Sequence, residues 1–204
     1  VSGVDTTAVG AALEVAERQG ILRSTELGLA FSHDLITRAV YNDISPLRRQ
    51  VMHRRAAELL EKNSTHDLAS AAELAHHATL SGDNALAARA MVSAGRLCLR
   101  FFANDDAQSL ARKGLQLTAR LSDAQRVCVE IDLHDILLAS GPLEDREGAA
   151  RRYTTLAERA LDHGALAAAR LGYHMAAYVR WTQGQWAAAR EQTLQGLRVV
   201  RGRQ

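Results

Sequence analysis

The stretch Phe31-Ser-His-Asp-Leu-Ile-Thr-Arg-Ala-Val-Tyr41, continued by Ser45-Pro-Leu-Arg-Arg-Gln-Val-Met-His53, separates two differently patterned parts of the chain. Short helix, turn and strand signals precede it, and Ala-rich amphipathic segments follow it. Within the stretch, apolar residues fall on one face of a helix predicted over 34–43. The Ser-Pro pair then restarts a helix over 46–62, because Ser caps a helix and Pro suits its first position.

The residues before this stretch predict a helix followed by a β-hairpin. The cluster Asp5-Thr-Thr7 supplies an N-cap, and a glycine ends the apolar periodicity, which predicts a helix over 6–19. Two short apolar pieces, 21–24 and 27–31, flank a polar Thr-Glu turn and predict two short strands. A helix followed by a hairpin is typical of the back half of a winged-helix unit.

The residues from Asp67 onward predict pairs of helices of roughly 15–20 residues, separated by short breaks. Small residues recur at the offsets that let the two helices of a tetratricopeptide pair approach closely. The spacing between equivalent positions is about 40 residues, longer than the ideal 34, so we expect an irregular solenoid. The positions that fit best are Met91, Ala94, Gly95, Cys98, Ala107, Ala111 and Gly114, then Tyr173, Ala176, Ala177, Gly184, Trp186, Ala189 and Gly196.

The predicted fold class is therefore mainly α, with a partial winged helix and its short β-hairpin followed by a tetratricopeptide-like α-solenoid of antiparallel helix pairs. We divide the chain into a winged-helix-like segment at 1–45, a linking helix at 46–66 and helical repeats at 67–204. Val1 is not preceded by an initiator Met, and we expect the chain to be a piece of a longer polypeptide.

Composition excludes several classes of partner. The formal net charge of +2 over 204 residues and the acidic groups of helix 6–19 argue against direct binding of nucleic acid. No apolar run approaches the roughly 20 residues that span a bilayer, and no secretory signal opens the chain. We therefore expect a cytoplasmic protein without a membrane partner. Cys98 and Cys128 are too far apart for a zinc site and are predicted to be reduced core residues.

Several short motifs occur in an order that resembles a known family. They are Leu29-Ala-Phe-Ser-His-Asp-Leu-Ile-x-x-Ala-Val-Tyr41, Ser45-Pro-x-Arg-Arg49, His53-Arg-Arg-Ala-Ala57, Leu60-Glu61, Glu73-Leu-Ala-His-His77 and Ser81-Gly-Asp83. Over residues 8–117 the chain resembles bacterial STAND-type signalling ATPases, which include the large LuxR-family, MalT-like regulators and the ATPase regions fused to class III nucleotide cyclases. The remaining residues match this family only as generic helical repeats.

The resemblance implies a regulatory arm that joins a winged-helix region, behind an ATPase core, to repeats that sense a protein or small-molecule effector. Its expected partners are the ATPase module of the parent chain and that effector. The phosphate-binding motif Gly-x-x-x-x-Gly-Lys-[Ser/Thr] is missing from this sequence, and Lys113-Gly114 lies within a predicted helix. We expect a non-catalytic module without a cofactor, and the alternative is a stand-alone tetratricopeptide-like scaffold for protein–protein contact.

Histidines next to acidic residues raise the possibility of metal chemistry of the HD-phosphohydrolase type. The pairs His33-Asp34 and His134-Asp135 lie on unrelated segments, and the adjacent side chains of His76 and His77 diverge on a helix. Neither a metal site nor a catalytic residue is therefore predicted. In the structural interpretation Asp34 caps a helix, His33 closes a strand, and His53, His76 and His77 bond neighbouring carbonyls.

Four arginines on helix 46–62 are the first candidate for partner binding: Arg48, Arg49, Arg54 and Arg55. They are predicted opposite an apolar packing face formed by Leu47, Val51, Met52, Ala56, Leu59 and Leu60. One interpretation is a solvated face on which Arg48, Arg55 and Glu58 form ion pairs. The other is a surface that docks the ATPase module or its nucleotide.

The second candidate for partner binding is an aromatic and arginine group late in the chain, Tyr173, Arg180 and Trp181. The first helix of each repeat lines the inner side of a solenoid, where such residues suit a partner or small ligand. The competing interpretation is interhelical packing, which we favour for Trp186. For Arg180 and Trp181 both interpretations stay open, and exposure of the side chains distinguishes them.

Overall fold

The structure is a computed structural model that describes residues 5–26, 28–62 and 67–201. In this part of the chain ten helices and a two-stranded antiparallel sheet are present. The helices are α1 (Thr6–Arg18), α2 (Asp34–Asp43), α3 (Pro46–Lys62), α4 (Leu68–Leu80), α5 (Asn84–Arg100), α6 (Asn104–Thr118), α7 (Asp123–Ser140), α8 (Arg146–Asp162), α9 (Leu166–Thr182) and α10 (Trp186–Arg201). The strands are β1 (Leu22–Thr25) and β2 (Gly28–Phe31). The predicted mainly α class is confirmed.

The predicted helix and hairpin at the amino-terminal end are confirmed. The Asp5 side chain accepts a hydrogen bond of 3.0 Å from the Thr7 N–H and caps α1. The strands pair with Leu22 opposite Phe31 and Thr25 opposite Gly28. Leu27, which was placed in the second strand, lies outside the described residues. The winged-helix interpretation and the three proposed domain boundaries stay predictions.

The predicted bounds of α2 are confirmed, but the predicted cap is wrong by one residue. His33 is the N-cap, with extended backbone and no side-chain bond to the helix, and Asp34 is the first helical residue. An acidic side chain still stabilises the first turn because the helix dipole is positive there. Asp34 therefore stabilises the start of α2 through its negative charge and not through a capping hydrogen bond.

The remaining helices form a solenoid-like array of antiparallel pairs. Helices α3 and α4, α5 and α6, α7 and α8, and α9 and α10 are the successive pairs, and each pair packs on the next. Helices α5, α7 and α9, which open the last three pairs, begin about 40 residues apart, as predicted. They also pack side by side, since α7 contacts both α5 and α9.

Small residues set the close approach of helices that belong to successive pairs, α6 to α7 and α8 to α9. A Cβ on Gly114 would lie 2.7 Å from Leu133 Cδ2, and one on Gly172 would lie 2.9 Å from Ala157 Cβ. Around these contacts, large apolar side chains fill the spaces between the pairs, and Leu133 and Ile136 are fully buried. Gly114, which fits the repeat template, and Gly172, which was not among the template positions, are thus both positions where only a small residue fits.

Burial differs sharply between the two parts of the chain. In the described residues before Ala57 no side chain is buried, whereas buried residues recur along every helix from α4 to α10. The first three helices and the hairpin therefore leave apolar side chains exposed to solvent, whereas the later helices bury theirs against one another.

Among the described helices, none has both the length and the apolar character needed to cross a membrane.

Candidate functional site

Two of the four arginines on α3 contact neighbouring elements. The guanidinium carbon of Arg49 lies 4.8 Å from the centre of the Tyr41 ring, a cation–π arrangement between α3 and α2. Arg54 Nη2 lies 3.7 Å from Oδ2 of Asp83, whose side chain also caps α5. These contacts connect the arginine-bearing helix to the segment before it and to the repeats after it.

The other two arginines lie on an exposed surface of α3. Within the described residues, Arg48 and Arg55 have no carboxylate within 4 Å, so the predicted ion pairs with Glu58 are not formed. They share an arc of about 140°, counted at 100° per residue, with four exposed apolar residues. We call the four apolar residues and the two arginines of this arc the α3 outer face: Leu47, Arg48, Val51, Met52, Arg55 and Leu59. The exposed side chains of Glu58 and Lys62 lie within the same arc.

The α3 outer face corrects the predicted packing face of this helix. Leu47 was assigned to the core but is 71% exposed, and Val51, Met52 and Leu59 are also exposed. The side that packs on α4 is centred instead on Ala57, which is fully buried, with His53, Ala56 and Leu60 partly buried beside it. The apolar residues of α3 are therefore divided between a covered side and an open side.

A chain of hydrogen bonds joins α2, α3 and α4 next to this face. The Tyr41 hydroxyl and His53 Nε2 lie 3.0 Å apart, and His53 Nδ1 and His77 Nδ1 lie 2.8 Å apart. One of the two Nδ1 atoms donates and the other accepts, so this bond requires at least one neutral ring. Burial, followed by neighbouring positive charge, lowers the pKa of His53 and of His77, which favours the neutral form. These histidines bond each other and not the carbonyls that were predicted.

The late aromatic group is divided by the structure. Tyr173 is buried, and its burial raises the pKa of the hydroxyl. Arg180 is largely buried and donates a 2.7 Å hydrogen bond to Gln185 Oε1, with Glu147 Oε2 at 3.5 Å. Trp181 is 55% exposed. Of the three predicted partner-binding residues in this region, only Trp181 therefore presents a large accessible surface.

Two aromatic residues that were not predicted as binding residues lie against Trp181. Trp186 is 62% exposed, so the packing predicted for it is wrong, and its ring centre lies 6.0 Å from that of Trp181. The ring of Tyr178 also stacks on that of Trp181, with 6.3 Å between the ring centres. We call Tyr178, Trp181 and Trp186 the aromatic cluster. The sequence contained one indication of this cluster: Tyr178 and Trp181 are three residues apart on one helix, which places their side chains on the same face.

Charged side chains lie between the helices that open the last three pairs. Arg96 Nη2 of α5 donates to Asp132 Oδ1 of α7 at 2.6 Å. Burial raises the pKa of Asp132 and that of Asp135 one turn further on, although Arg96 opposes the shift at both. His174 of α9 is close enough to Asp135 to lower its pKa slightly. The surface shared by α5, α7 and α9 thus combines an ion pair with partly buried carboxyls.

Metal and thiol chemistry find little support in this geometry. Among the described residues, no three His, Cys, Asp or Glu side chains converge in a way that would hold a metal ion. Cys98 is buried and Cys128 partly buried, and both are free thiols. Burial raises the pKa of both, so the thiols stay protonated and are poor nucleophiles at neutral pH.

Comparisons with protein-family models, with curated proteins and with solved structures give no match for this chain. The candidate sites therefore depend on their own geometry. That geometry offers two exposed surfaces suited to macromolecular contact, the α3 outer face and the aromatic cluster, which lie on the first and last helix pairs.

Proposed function

We propose that this chain is a non-catalytic regulatory module of a transcription-regulating STAND-type signalling ATPase. In this proposal the helical repeats bind a partner protein or small-molecule effector, and α3 transmits the bound state to the ATPase module. The sequence contributes no phosphate-binding loop of its own, so nucleotide turnover would belong to the parent chain.

The observation that carries this proposal is the α3 outer face. Four large apolar side chains are open to solvent on one helix, next to the arginines at positions 48 and 55, which no described carboxylate neutralises. Contiguous exposed apolar surface with a polar rim is typical of a protein–protein interface, and arginine is enriched in such interfaces. A module that packs against α3 would cover this surface.

The contacts around α3 support a role in transmission. On one side Arg49 and His53 contact Tyr41 of α2, and on the other side His53 bonds His77 of α4. A displacement of the repeats that moves α4 would therefore alter contacts of the segment before α3. These contacts form a continuous path of packed elements of the kind that can carry coupling between two sites.

A stand-alone interaction scaffold is the second candidate function, and the aromatic cluster favours it. Trp and Tyr are the residues that most often dominate binding energy in interfaces. In this reading the last helix pair captures a partner by itself, and no ATPase module is involved. The two candidates differ in which surface a required partner would cover.

The first prediction tests docking on the α3 outer face in the parent protein's own modules. Replacing both Met52 and Leu59 with Asp is expected to weaken binding of the separately purified ATPase module by roughly thirtyfold or more, since the loss of even one buried anchor residue costs about 2 kcal/mol. Isothermal titration calorimetry gives the dissociation constants. Phe102→Asp is the matched control, because Phe102 is 89% exposed but lies in the turn between α5 and α6.

Equal weakening by the control, or no binding of the ATPase module to the unaltered chain, would contradict the proposal. The same titrations with the double variant Arg48→Ala, Arg55→Ala measure the electrostatic contribution to the binding free energy. The effect of these substitutions should shrink as salt concentration rises, because exposed charges are screened over about 10 Å at 0.1 M salt.

A further inference from the structure

A cavity of about 310 Å³ lies where α6, α7 and α8 meet, at the side of the loop that joins α7 to α8. Leu137, Pro142, Leu143 and Ala149 form its apolar lining. Its size lies at the lower end of the range of about 300–1,000 Å³ that small-molecule sites occupy. These apolar residues lie beside polar and charged ones, a mixed lining that suits a small ligand with both a carbon skeleton and a charged group.

Two arginines from different helices open into this cavity. Arg112 belongs to α6 and Arg152 to α8, and neither has a carboxylate within 4 Å in the part of the chain that the structure describes. The neighbouring Arg151, by contrast, pairs with Glu147 at 3.1 Å. A guanidinium group that makes no close ion pair can bind an oxyanion in bidentate geometry.

The arginine on α6 is held in place by a short chain of hydrogen bonds. Arg112 Nη2 donates to Gln108 Oε1 at 3.3 Å, and Gln108 Nε2 donates to the Ser140 carbonyl at 3.3 Å. Gly141 leaves room for this amide, because a Cβ there would lie 2.5 Å from Gln108 Nε2. Such support reduces the conformational entropy that a ligand must overcome on binding.

A tyrosine adds a hydroxyl group to the lining of the cavity. Tyr153 is only 1% exposed as a whole and lines the cavity. No protein hydrogen bond is found for its hydroxyl, and no buried polar atom of the described side chains lacks a partner, so the hydroxyl is open to solvent. Burial raises its pKa to about 12, so the hydroxyl remains a donor at every physiological pH. His134, whose ring centre lies 5.5 Å from that of Tyr153, also lines the cavity. A hydroxyl that is open to the cavity can donate to an acceptor atom of a bound ligand.

We propose that this cavity binds a small organic oxyanion, a carboxylate or a phosphate ester, through Arg112, Arg152 and the Tyr153 hydroxyl. Two acidic residues of the loop, Glu144 and Asp145, also line the cavity. Asp145 is already engaged as the N-cap of α8, accepting a 2.8 Å bond from the Gly148 N–H, and Glu144 is exposed to solvent. The site is separate from the α3 outer face and from the aromatic cluster, so its test does not depend on the proposed function.

The second prediction is saturable binding of benzoate or phenyl phosphate, used as carboxylate and phosphate probes at constant ionic strength. NMR of the histidine ring protons should show a shift of the His134 signals with a dissociation constant below about 10 mM, which corresponds to roughly 3 kcal/mol. Arg152→Ala should weaken binding by about tenfold or more, because a hydrogen bond to a charged group contributes about 1.5–3 kcal/mol. Arg151→Ala, one residue away and equally exposed, should leave it unchanged.

A stronger response to one probe identifies the oxyanion, and either response supports the site. The proposal is overturned if neither probe shifts the His134 signals saturably, or if Arg151→Ala and Arg152→Ala weaken binding equally. Because both arginines are exposed, neither substitution is expected to unfold the chain.

Discussion

Gly172→Ala is expected to destabilise the folded chain by roughly 1–3 kcal/mol, the usual cost of overpacking a filled core. A Cβ at this position would lie 2.9 Å from Ala157 Cβ, 3.2 Å from Ala157 Cα and 3.1 Å from the Tyr153 carbonyl oxygen. None of these atoms is the flexible end of a long side chain, so α8 and α9 would have to move apart. Urea denaturation followed by circular dichroism measures the change in unfolding free energy.

Gly196→Ala on α10 is the matched control for this substitution. Its Cβ would lie 3.5 Å from Tyr173 Cβ, an ordinary van der Waals contact. Replacing a helical Gly with Ala without a clash should stabilise the chain by roughly 0.5–1 kcal/mol. Opposite signs at the two positions support the packing of the last two pairs. Stabilisation by both substitutions would mean that α8 and α9 are not as close as described.

The second large effect is a loss of stability in acid that depends on His134. Burial, assisted by the charge of Arg152, lowers the pKa of His134 to about 4 in the folded state, against 6.5 in a free side chain. Between these two values the unfolded chain binds more protons than the folded chain, so stability falls as the pH falls. Above pH 6.5 both states carry a neutral ring, and this contribution to stability is fully present.

His134→Phe removes the titration and should flatten this slope. The unfolding free energy of the variant, relative to the original chain, should rise by up to about 3 kcal/mol as the pH falls from 6.5 to 4. The pKa of Asp132 is raised by burial and therefore acts with the opposite sign, but it is present in both proteins and cancels in the difference. Urea titrations across this pH range measure the difference, and parallel pH profiles would show that partial burial does not keep His134 neutral in the folded state.

Much of the local structure could be predicted because its signals are local. Asp5 caps α1, Pro46 begins α3, and the helices that follow begin and end near the predicted breaks. The repeat template also located positions under steric constraint. Gly95 and Gly114 fit the template, and a Cβ on either would come within 3.0 Å of a side chain on α7. These features depend on neighbours in sequence or on a repeating offset, which a single sequence contains.

The surfaces were harder to predict because they depend on which neighbour covers each face. Leu47 and Met52 have the periodicity of core residues, but α4 packs on a different side of α3 and leaves them exposed. Trp186 likewise has the composition of a packing residue and is exposed. Periodicity identifies an apolar face, but only the arrangement of the other helices determines which part of that face is buried.

The cavity between α6, α7 and α8 was missed for a related reason. Arg112, His134 and Tyr153 lie on three different helices and are far apart in the sequence. No motif spacing joins them, and each has an ordinary interpretation when considered alone. Only their convergence on one cavity indicates a binding site.

The coding sequence that precedes Val1 in the gene tests the central claim most directly. If this chain is the regulatory module of a STAND-type ATPase, the same reading frame should contain a predicted strand, a Gly-x-x-x-x-Gly-Lys-[Ser/Thr] loop and a helix, followed by an acidic residue at the end of a later strand. A start codon directly before Val1, with no such loop in frame, would contradict the claim and favour the stand-alone scaffold.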